Sequence, residues 1–417
     1  MEAFSRKNGE LHAEEVALSR IAREVGTPCY VYSRAALGTA FDAYGRGFGN
    51  LPHLICYSVK ANSNLAVLAE LAGRGAGFDV VSGGELERVL AAGGDASKVV
   101  FSGVGKQEWE LRRALEAGIL MLNVECPAEL DLIDRVAGQM GLRAPVSLRV
   151  NPDVDPETHP YISTGLKTSK FGIAMERCME DYARAASMEG LDVIGLDCHI
   201  GSQLTSAAPI AEAASRAVAL IDRLAEAGIP LSHLDMGGGL GIVYDDEQPP
   251  EAADWAAVLG QAVGGRELTI LVEPGRSIAG NAGLLLTTAL FHKSNADKNF
   301  LVVDAAMNDL ARPSFYDAYH RIEAVEETPN TAVADVVGPI CETGDFLARG
   351  REVPAVEPGG VLAVMSAGAY GFVMASNYNS RPRPAEVMVD GTKFHVVRRR
   401  ETTASLFEGE SIPDGLT

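Results

Sequence analysis

The stretch LICYSVKANSNLAVLAELAGRGAGFDVVS (54–82) reads as a strand, a helix and a second strand. LICYSVK is a short apolar run rich in β-formers, NLAVLAELAGRG carries Ala, Leu and Glu at helical density and stops at Gly, and GFDVVS opens the next run. The same unit recurs along the chain. VVFSG (99–103), MLNVE (121–125), VSLRVN (146–151), VIGLDCHIG (193–201), HLDMGGG (233–239) and TILVEPG (269–275) bring the strand-like runs to eight. Helix-like segments separate them, among them GGELERVLAAGG (83–94), AAPIAEAASRAVALIDRLAEAG (207–228) and EAADWAAVLGQAVGG (251–265). Strand then helix, eight times over about 220 residues, predicts an α/β fold built on a parallel (β/α)8 barrel, with an open doubly wound sheet as the alternative.

Beyond residue 280 the pattern changes. LLLTTALFHK (284–293), FLVVDAAM (300–307), TAVADVVGP (331–339), GVLAVMSAGAYG (360–371) and AEVMVDGTKFHVVRRRE (385–401) are strand-like, with Asp390-Gly391 suited to a hairpin turn. TPCYVYS (27–33) stands alone before the barrel and can lend such a domain a strand. The expected organisation is an N-terminal segment 1–33 joined to a β domain, a barrel over 34–280, and a C-terminal, mostly antiparallel β domain over 281–417. A length of 417 residues agrees with two or three domains at about 150 residues each.

Composition narrows the function classes. With 47% apolar and 22% charged residues the chain has the profile of an ordinary globular protein. The 36 Lys and Arg stand against 56 Asp and Glu, a net charge of −20, which argues against nucleic acid or an anionic membrane as partner. An anionic ligand must then find local positive charge. The six cysteines are spread with no C-x-x-C pair, and the histidines show no metal-ligand spacing, so no metal is expected. MEAFSRKNGELHAEE lacks the basic and apolar regions of a signal peptide, and no apolar run is long enough to span a bilayer. A reducing cytoplasm is the expected compartment.

Active sites of such barrels lie at the C-terminal ends of the strands. The first run ends in Tyr57-Ser58-Val59-Lys60, placing a lysine at the mouth. Such a lysine is either a surface group or, with a lowered pKa, a nucleophile and Schiff-base partner. The sixth run ends at His199 and Ser202, the seventh at Gly237, Gly238, Gly239 and Gly241, and the eighth at Glu273, Gly275 and Arg276. Glycines after strand seven let backbone N–H groups approach an oxyanion, which points to a phosphorylated ligand. Glu273 alone could be an ion-paired structural group. Combined with Lys60 and a phosphate cradle it completes the three needs of pyridoxal 5'-phosphate: a lysine, phosphate donors and a group controlling the ring nitrogen. Asp79 and Arg149, on the second and fifth runs, are either supporting groups of such a site or an internal salt bridge. Cys29, Cys56, Cys126, Cys178 and Cys198 are expected as small buried hydrophobes, and His53, His233, His292, His320 and His395 as surface or core groups.

At these residues the sequence resembles the barrel-type pyridoxal-phosphate decarboxylases, which include the ornithine, arginine and diaminopimelate enzymes. YSVKAN, FDVVSGGE, HPYISTGLKTSKFG, HIGSQ, GGGLG, EPGRSI, RPSFYDAYH, GPICETGD and GAYGFVMASNYNSRPRPAEV occur in family order over nearly the whole chain. The resemblance is closest to the diaminopimelate branch, and it implies decarboxylation of meso-2,6-diaminopimelate to L-lysine, the last step of lysine biosynthesis. It further implies that Lys60 carries the cofactor, His199 stacks on its ring and Glu273 pairs with its pyridine nitrogen. Ser202, the glycines 237–241, Gly275, Arg276 and Tyr370 would surround the phosphate or adjacent substrate groups. The family builds its sites across a homodimer, so Cys341 would serve as proton donor and Glu342 as substrate contact in the partner's site. Arg276 and Arg312 could each fork onto a substrate carboxylate, with Tyr316 and Tyr370 as hydrogen-bond partners. Two alternatives remain at this point: a decarboxylase of basic amino acids feeding polyamine synthesis, and a relative that has lost catalysis. The retained Lys60 and Cys341 speak against the second.

Overall fold

The computed structural model describes residues 3–154, 170–295 and 297–416; most of HPYISTGLKTSKFG (159–172) lies outside them. The chain divides into two compact units, one of Leu37–Val243 with Glu247–Ile278, the other of Met1–Ala36, Tyr244–Asp246 and Ala279–Thr417.

In the first unit, eight parallel strands close a ring: His53–Ser58, Gly77–Val80, Val99–Phe101, Met121–Val124, Ala144–Asn151, Leu191–Asp197, His233–Asp235 and Thr269–Val272. The last pairs with the first in the register Ile270↔His53 to Val272↔Ile55. That closure excludes the open sheet. Strands six and seven are shorter than the runs 193–201 and 233–239 suggested. On the seventh, a side chain takes over from the neighbouring strand: the Gly237 N–H donates to Asp235 Oδ1 at 2.9 Å.

Local chemistry starts the barrel helices. Asn64 caps Leu65–Gly73 by accepting from Ala66 N. Ser82 accepts from Glu85 N at the start of Gly83–Ala91, while Glu85 reaches back to Val81 N at 2.8 Å. The interior changes character along the barrel axis. Cys56, Val100, Met121 and Leu271 form a buried apolar layer. Two residues further along the same strands, where the pleat returns to the same face, stand Ser58, Ser102, Asn123 and Glu273, all buried. The barrel is therefore oily below and polar towards its C-terminal mouth.

The second unit holds a mostly antiparallel sheet. Cys29–Ser33 pairs antiparallel with Gly283–Asn295 and parallel with Ala385–Asp390. The latter turns through Gly391, at φ +58°, into Lys393–Arg398. Gly283–Asn295 also pairs with Val361–Val364 and Lys298–Val303, and the latter runs parallel to Thr331–Val337. Cys29, Val31, Leu284, Leu286, Ala363, Val387 and Val389 form its core. Of the cysteines expected to be buried, Cys29, Cys56, Cys178 and Cys198 are, but Cys126 is exposed. It occupies the cap position before Pro127, where the chain turns out of the barrel into a helix.

Candidate active site

Lys60 lies in a single 3-10 turn, Val59–Ala61, directly after the first barrel strand. Its Nζ is 2.6 Å from Asp79 Oδ2, which also accepts from Ser58 Oγ at 2.6 Å. Burial works against the Asp79 charge, yet Lys60 and the two hydrogen bonds hold its carboxyl below the usual range. The other oxygen, Oδ1, is buried and has no hydrogen-bond partner among the described residues.

Glu273 follows the eighth strand, and its own N–H is held by the Gly237 carbonyl at 2.7 Å. Its Oε2 is 2.5 Å from His199 Nε2, and its Oε1 faces Asn123 Nδ2 at 3.4 Å and Ser102 Oγ at 3.5 Å. On its opposite edge His199 Nδ1 lies 2.8 Å from Asp197 Oδ1. Burial disfavours an imidazolium, but Asp197 and Glu273 together push the His199 pKa well above its ordinary value. Burial, with the charge of Asp79, raises Glu273 despite His199. Burial and the charges of Glu273 and Asp197 push the Asp235 carboxyl well above the usual carboxylate range. Behind Asp197 lies Arg149, whose Nε is 4.0 Å away and whose Nη1 pairs with Glu125 at 2.7 Å.

The glycine run packs against these groups. Gly237 has φ +62°, and a Cβ there would sit 2.4 Å from the His199 ring; at Gly238 it would sit 2.5 Å from the Glu273 carbonyl. The amides of Gly237 and Gly241 are committed to Asp235 and Leu204, which leaves the amides at 238–240 as donors for an anion. Gly275 is also tightly packed, its Cβ position 2.8 Å from Ala61 Cβ, so the loop after strand eight lies on the lysine turn. Arg276 donates through Nε and Nη2 to Ser202 Oγ at 3.2 and 3.0 Å.

Lys60, His199, Glu273, Ser202, the glycine run, Gly275 and Arg276 thus sit on strand ends of the barrel unit. Arg312, Tyr316, Cys341, Glu342 and Tyr370 belong to the other unit. There, buried Arg312 opens the short helix Arg312–Tyr316 with its guanidinium carbon 5.8 Å from the Tyr316 ring centroid and 5.1 Å from that of Tyr244. Cys341 is exposed and its N–H donates to Asn379 Oδ1 at 2.8 Å. Asp345 secures the same loop by accepting from Met307 N at 2.7 Å and Ile340 N at 2.8 Å. Tyr370 holds φ +54°, a left-handed conformation that an aromatic residue rarely adopts.

Sequence reasoning passed over Asp197, Asp235, Asn123, Asp345 and Asn379. For the first the signal was present: Asp197 precedes His199 by two residues in LDCH, so the pleat turns both inward.

Comparisons with known proteins agree on one family. Residues 34–280 match the family described as pyridoxal-dependent decarboxylase, pyridoxal binding domain. The diaminopimelate decarboxylase of Pseudomonas aeruginosa is 58% identical over 415 residues, covering 99% of both chains. That of Vibrio cholerae is 54% identical over 409 residues and 98% of both. Among solved structures, M. jannaschii diaminopimelate decarboxylase in complex with L-lysine superposes with a TM-score of 0.95 at 36% identity, covering 100% of this chain and 99% of that one. With a closed barrel, a lysine turn at its mouth and full-length similarity of this order, the chain belongs to the diaminopimelate decarboxylase family of pyridoxal-dependent decarboxylases.

Proposed function

We propose that this chain decarboxylates meso-2,6-diaminopimelate on pyridoxal phosphate, giving L-lysine and CO2 as the last step of lysine biosynthesis. The observation that carries the reading is the pairing, in one barrel mouth, of Lys60 on Asp79 with Glu273 on His199, in a chain 58% identical throughout to a diaminopimelate decarboxylase.

The residues present fit the cofactor. Among the described residues the buried Asp79 Oδ1 and Asp197 Oδ2 have no hydrogen-bond partner, and the mouth offers a lysine amine, loop amides and a carboxyl group beside an imidazole. Bound there, pyridoxal phosphate supplies the electron sink that accepts the pair left by the departing carboxyl group. Lys60 would hold the cofactor covalently, with Asp79 neutralising its ammonium before that bond forms. Glu273 would keep a proton on the ring nitrogen, with Asp235 close by, its carboxyl raised by burial and by the charge of Glu273. Asp197 would hold His199 by Nδ1, fixing the plane of the imidazole. The amides at 238–240 with Ser202, Gly275 and Arg276 would meet the phosphate, and Tyr370 a neighbouring group.

At the substrate end, Arg312 would fork onto the far carboxylate, with Tyr316 beside it, and Glu342 would hold the far ammonium. Cys341 would return a proton to the reacting carbon. We further infer a cytoplasmic homodimer in which Cys341 and Glu342 serve the partner's site. Among the described residues no helix is long and apolar enough to cross a membrane.

Release of CO2 from meso-diaminopimelate, L-ornithine and L-arginine, measured side by side with the holoprotein, tests the assignment. Diaminopimelate should be turned over at least about a hundredfold more efficiently, since the others lack the far carboxylate. Equal or greater activity on ornithine or arginine would overturn it.

A further inference from the structure

We propose that His320 is a positioning residue for substrate selection, orienting Arg312 so that the terminal N–H pair of its guanidinium is presented to a carboxylate. The inference rests on the reading of Arg312 above and adds the group that aims it. Arg312 Nε donates to His320 Nε2 at 3.3 Å, and both side chains are buried. On its other edge His320 Nδ1 is 2.9 Å from the Met365 carbonyl oxygen. A carbonyl only accepts and an arginine N–H only donates, so both contacts are hydrogen bonds only in the neutral tautomer with the proton on Nδ1.

The support for that imidazole is itself rigid. Met365 N donates to the Arg321 carbonyl at 2.8 Å, continuing the pairing of Ile322–Ala324 with Val361–Val364. Arg351 Nη2 donates to the His320 carbonyl at 2.7 Å. Tyr244 stands edge-on to the imidazole, with ring centroids 5.3 Å apart, and the same ring lies 5.1 Å from the guanidinium carbon of Arg312. A guanidinium has two edges that can fork onto a carboxylate, one containing Nε and one made of the two terminal nitrogens. Commitment of Nε to His320 selects the terminal edge. The hydrogen bond to His320 helps hold a long side chain before substrate arrives, which lowers the entropy cost of binding without touching the bond that breaks.

The consequence is a selective one. Decarboxylation at one end of diaminopimelate leaves the other carboxylate in lysine, so product lysine retains the group that Arg312 would read. 1,5-Diaminopentane has the same skeleton and no carboxylate. Four holoenzyme variants, His320→Leu, His320→Met, His320→Gln and Arg312→Met, would be compared with the native chain in KM and kcat for diaminopimelate. Affinities for L-lysine and 1,5-diaminopentane would be read from the cofactor absorbance, and melting temperatures recorded. The two apolar variants differ in shape, so a packing fault in one does not void the other.

The expected result is that the apolar variants raise KM and weaken lysine about tenfold, with kcat within about threefold and 1,5-diaminopentane unaffected. His320→Gln should recover most of the loss, since its amide oxygen can accept from Arg312 and its NH2 can donate to Met365. Equal weakening of lysine and 1,5-diaminopentane, no weakening of either, or a well-folded Gln variant no better than Leu would overturn the role of His320. If Arg312→Met weakens lysine while the His320 variants do not, only that role falls. If Arg312→Met leaves lysine untouched, the reading of Arg312 itself falls.

Discussion

Glu273 is placed where two influences oppose: burial and Asp79 favour its neutral form, His199 its charged form. Its service to a pyridine nitrogen would grow as electrons move into the ring, so it belongs to the transition state more than to binding. Glu273→Gln should retain cofactor but lose about a hundredfold or more in kcat with a much smaller change in KM; unchanged kcat in steady-state kinetics would refute an electron-sink role. Glu85, capping the next helix, makes a separate statement about stability. Burial, reinforced by Asp79 and opposed by the Val81 N–H, pushes its carboxyl up to about 7 from an ordinary 4.5. A raised pKa means that the folded state holds the proton more tightly. That contribution is complete below about 4.5 and is lost as pH rises through about 7. Glu85→Gln should therefore match the native apoprotein at pH 4.5 and exceed it by about 1–2 kcal/mol at pH 8. Urea unfolding at the two pH values checks this, and a pH-independent difference would contradict it.

Among the elements, the loop after the seventh strand is the most constrained. Gly237 combines φ +62° with a Cβ position 2.4 Å from the His199 ring, and that ring is tied at both nitrogens. Gly237→Ala should cost about 1–3 kcal/mol in thermal unfolding and weaken cofactor uptake by displacing His199. An alanine variant with native melting and native cofactor affinity would mean that the loop yields freely. All eight barrel strands were legible because each β-rich run is separated from the next by a helical pattern ending in Gly, as at Gly118 and Gly141, both left-handed C-caps. Strand ends were less legible: the Gly237 N–H turns to a side-chain acceptor, which no periodicity encodes. Site residues closing a strand, such as Lys60 and Glu273, could be read in order. Asp235 could not, because a lone acid in HLDMGGG reads equally as a turn former. His320 was invisible for another reason: its role lies in a contact with Arg312 across a short helix, and its spacing matches no ligand pattern.

At the scale of the molecule, the residues assigned to chemistry divide between a barrel that would hold the cofactor and a β unit that carries Arg312, Cys341 and Glu342. A homodimer sharing Cys341 makes a quantitative demand on mixtures. Lys60→Ala and Cys341→Ala chains, each inactive alone, should regain up to about a quarter of native activity when randomly exchanged, since half the dimers are mixed and each has one intact site. No recovery despite exchange shown by mass spectrometry would mean that both residues act within one chain. The net charge of −20 makes the local cations of the site the more significant for the phosphate of the cofactor, which the long-range field repels, whereas diaminopimelate, with two ammonium and two carboxylate groups, is neutral overall.

Lys60 is the residue on which the cofactor would be held. The direct measurement is borohydride reduction of the holoprotein, followed by proteolysis and mass spectrometry of the pyridoxyl peptides. The pyridoxyl mass should fall on the peptide containing Lys60, and prior addition of diaminopimelate should remove it from that peptide. A pyridoxyl group on any other lysine, or none on Lys60 in a yellow protein, would contradict the account.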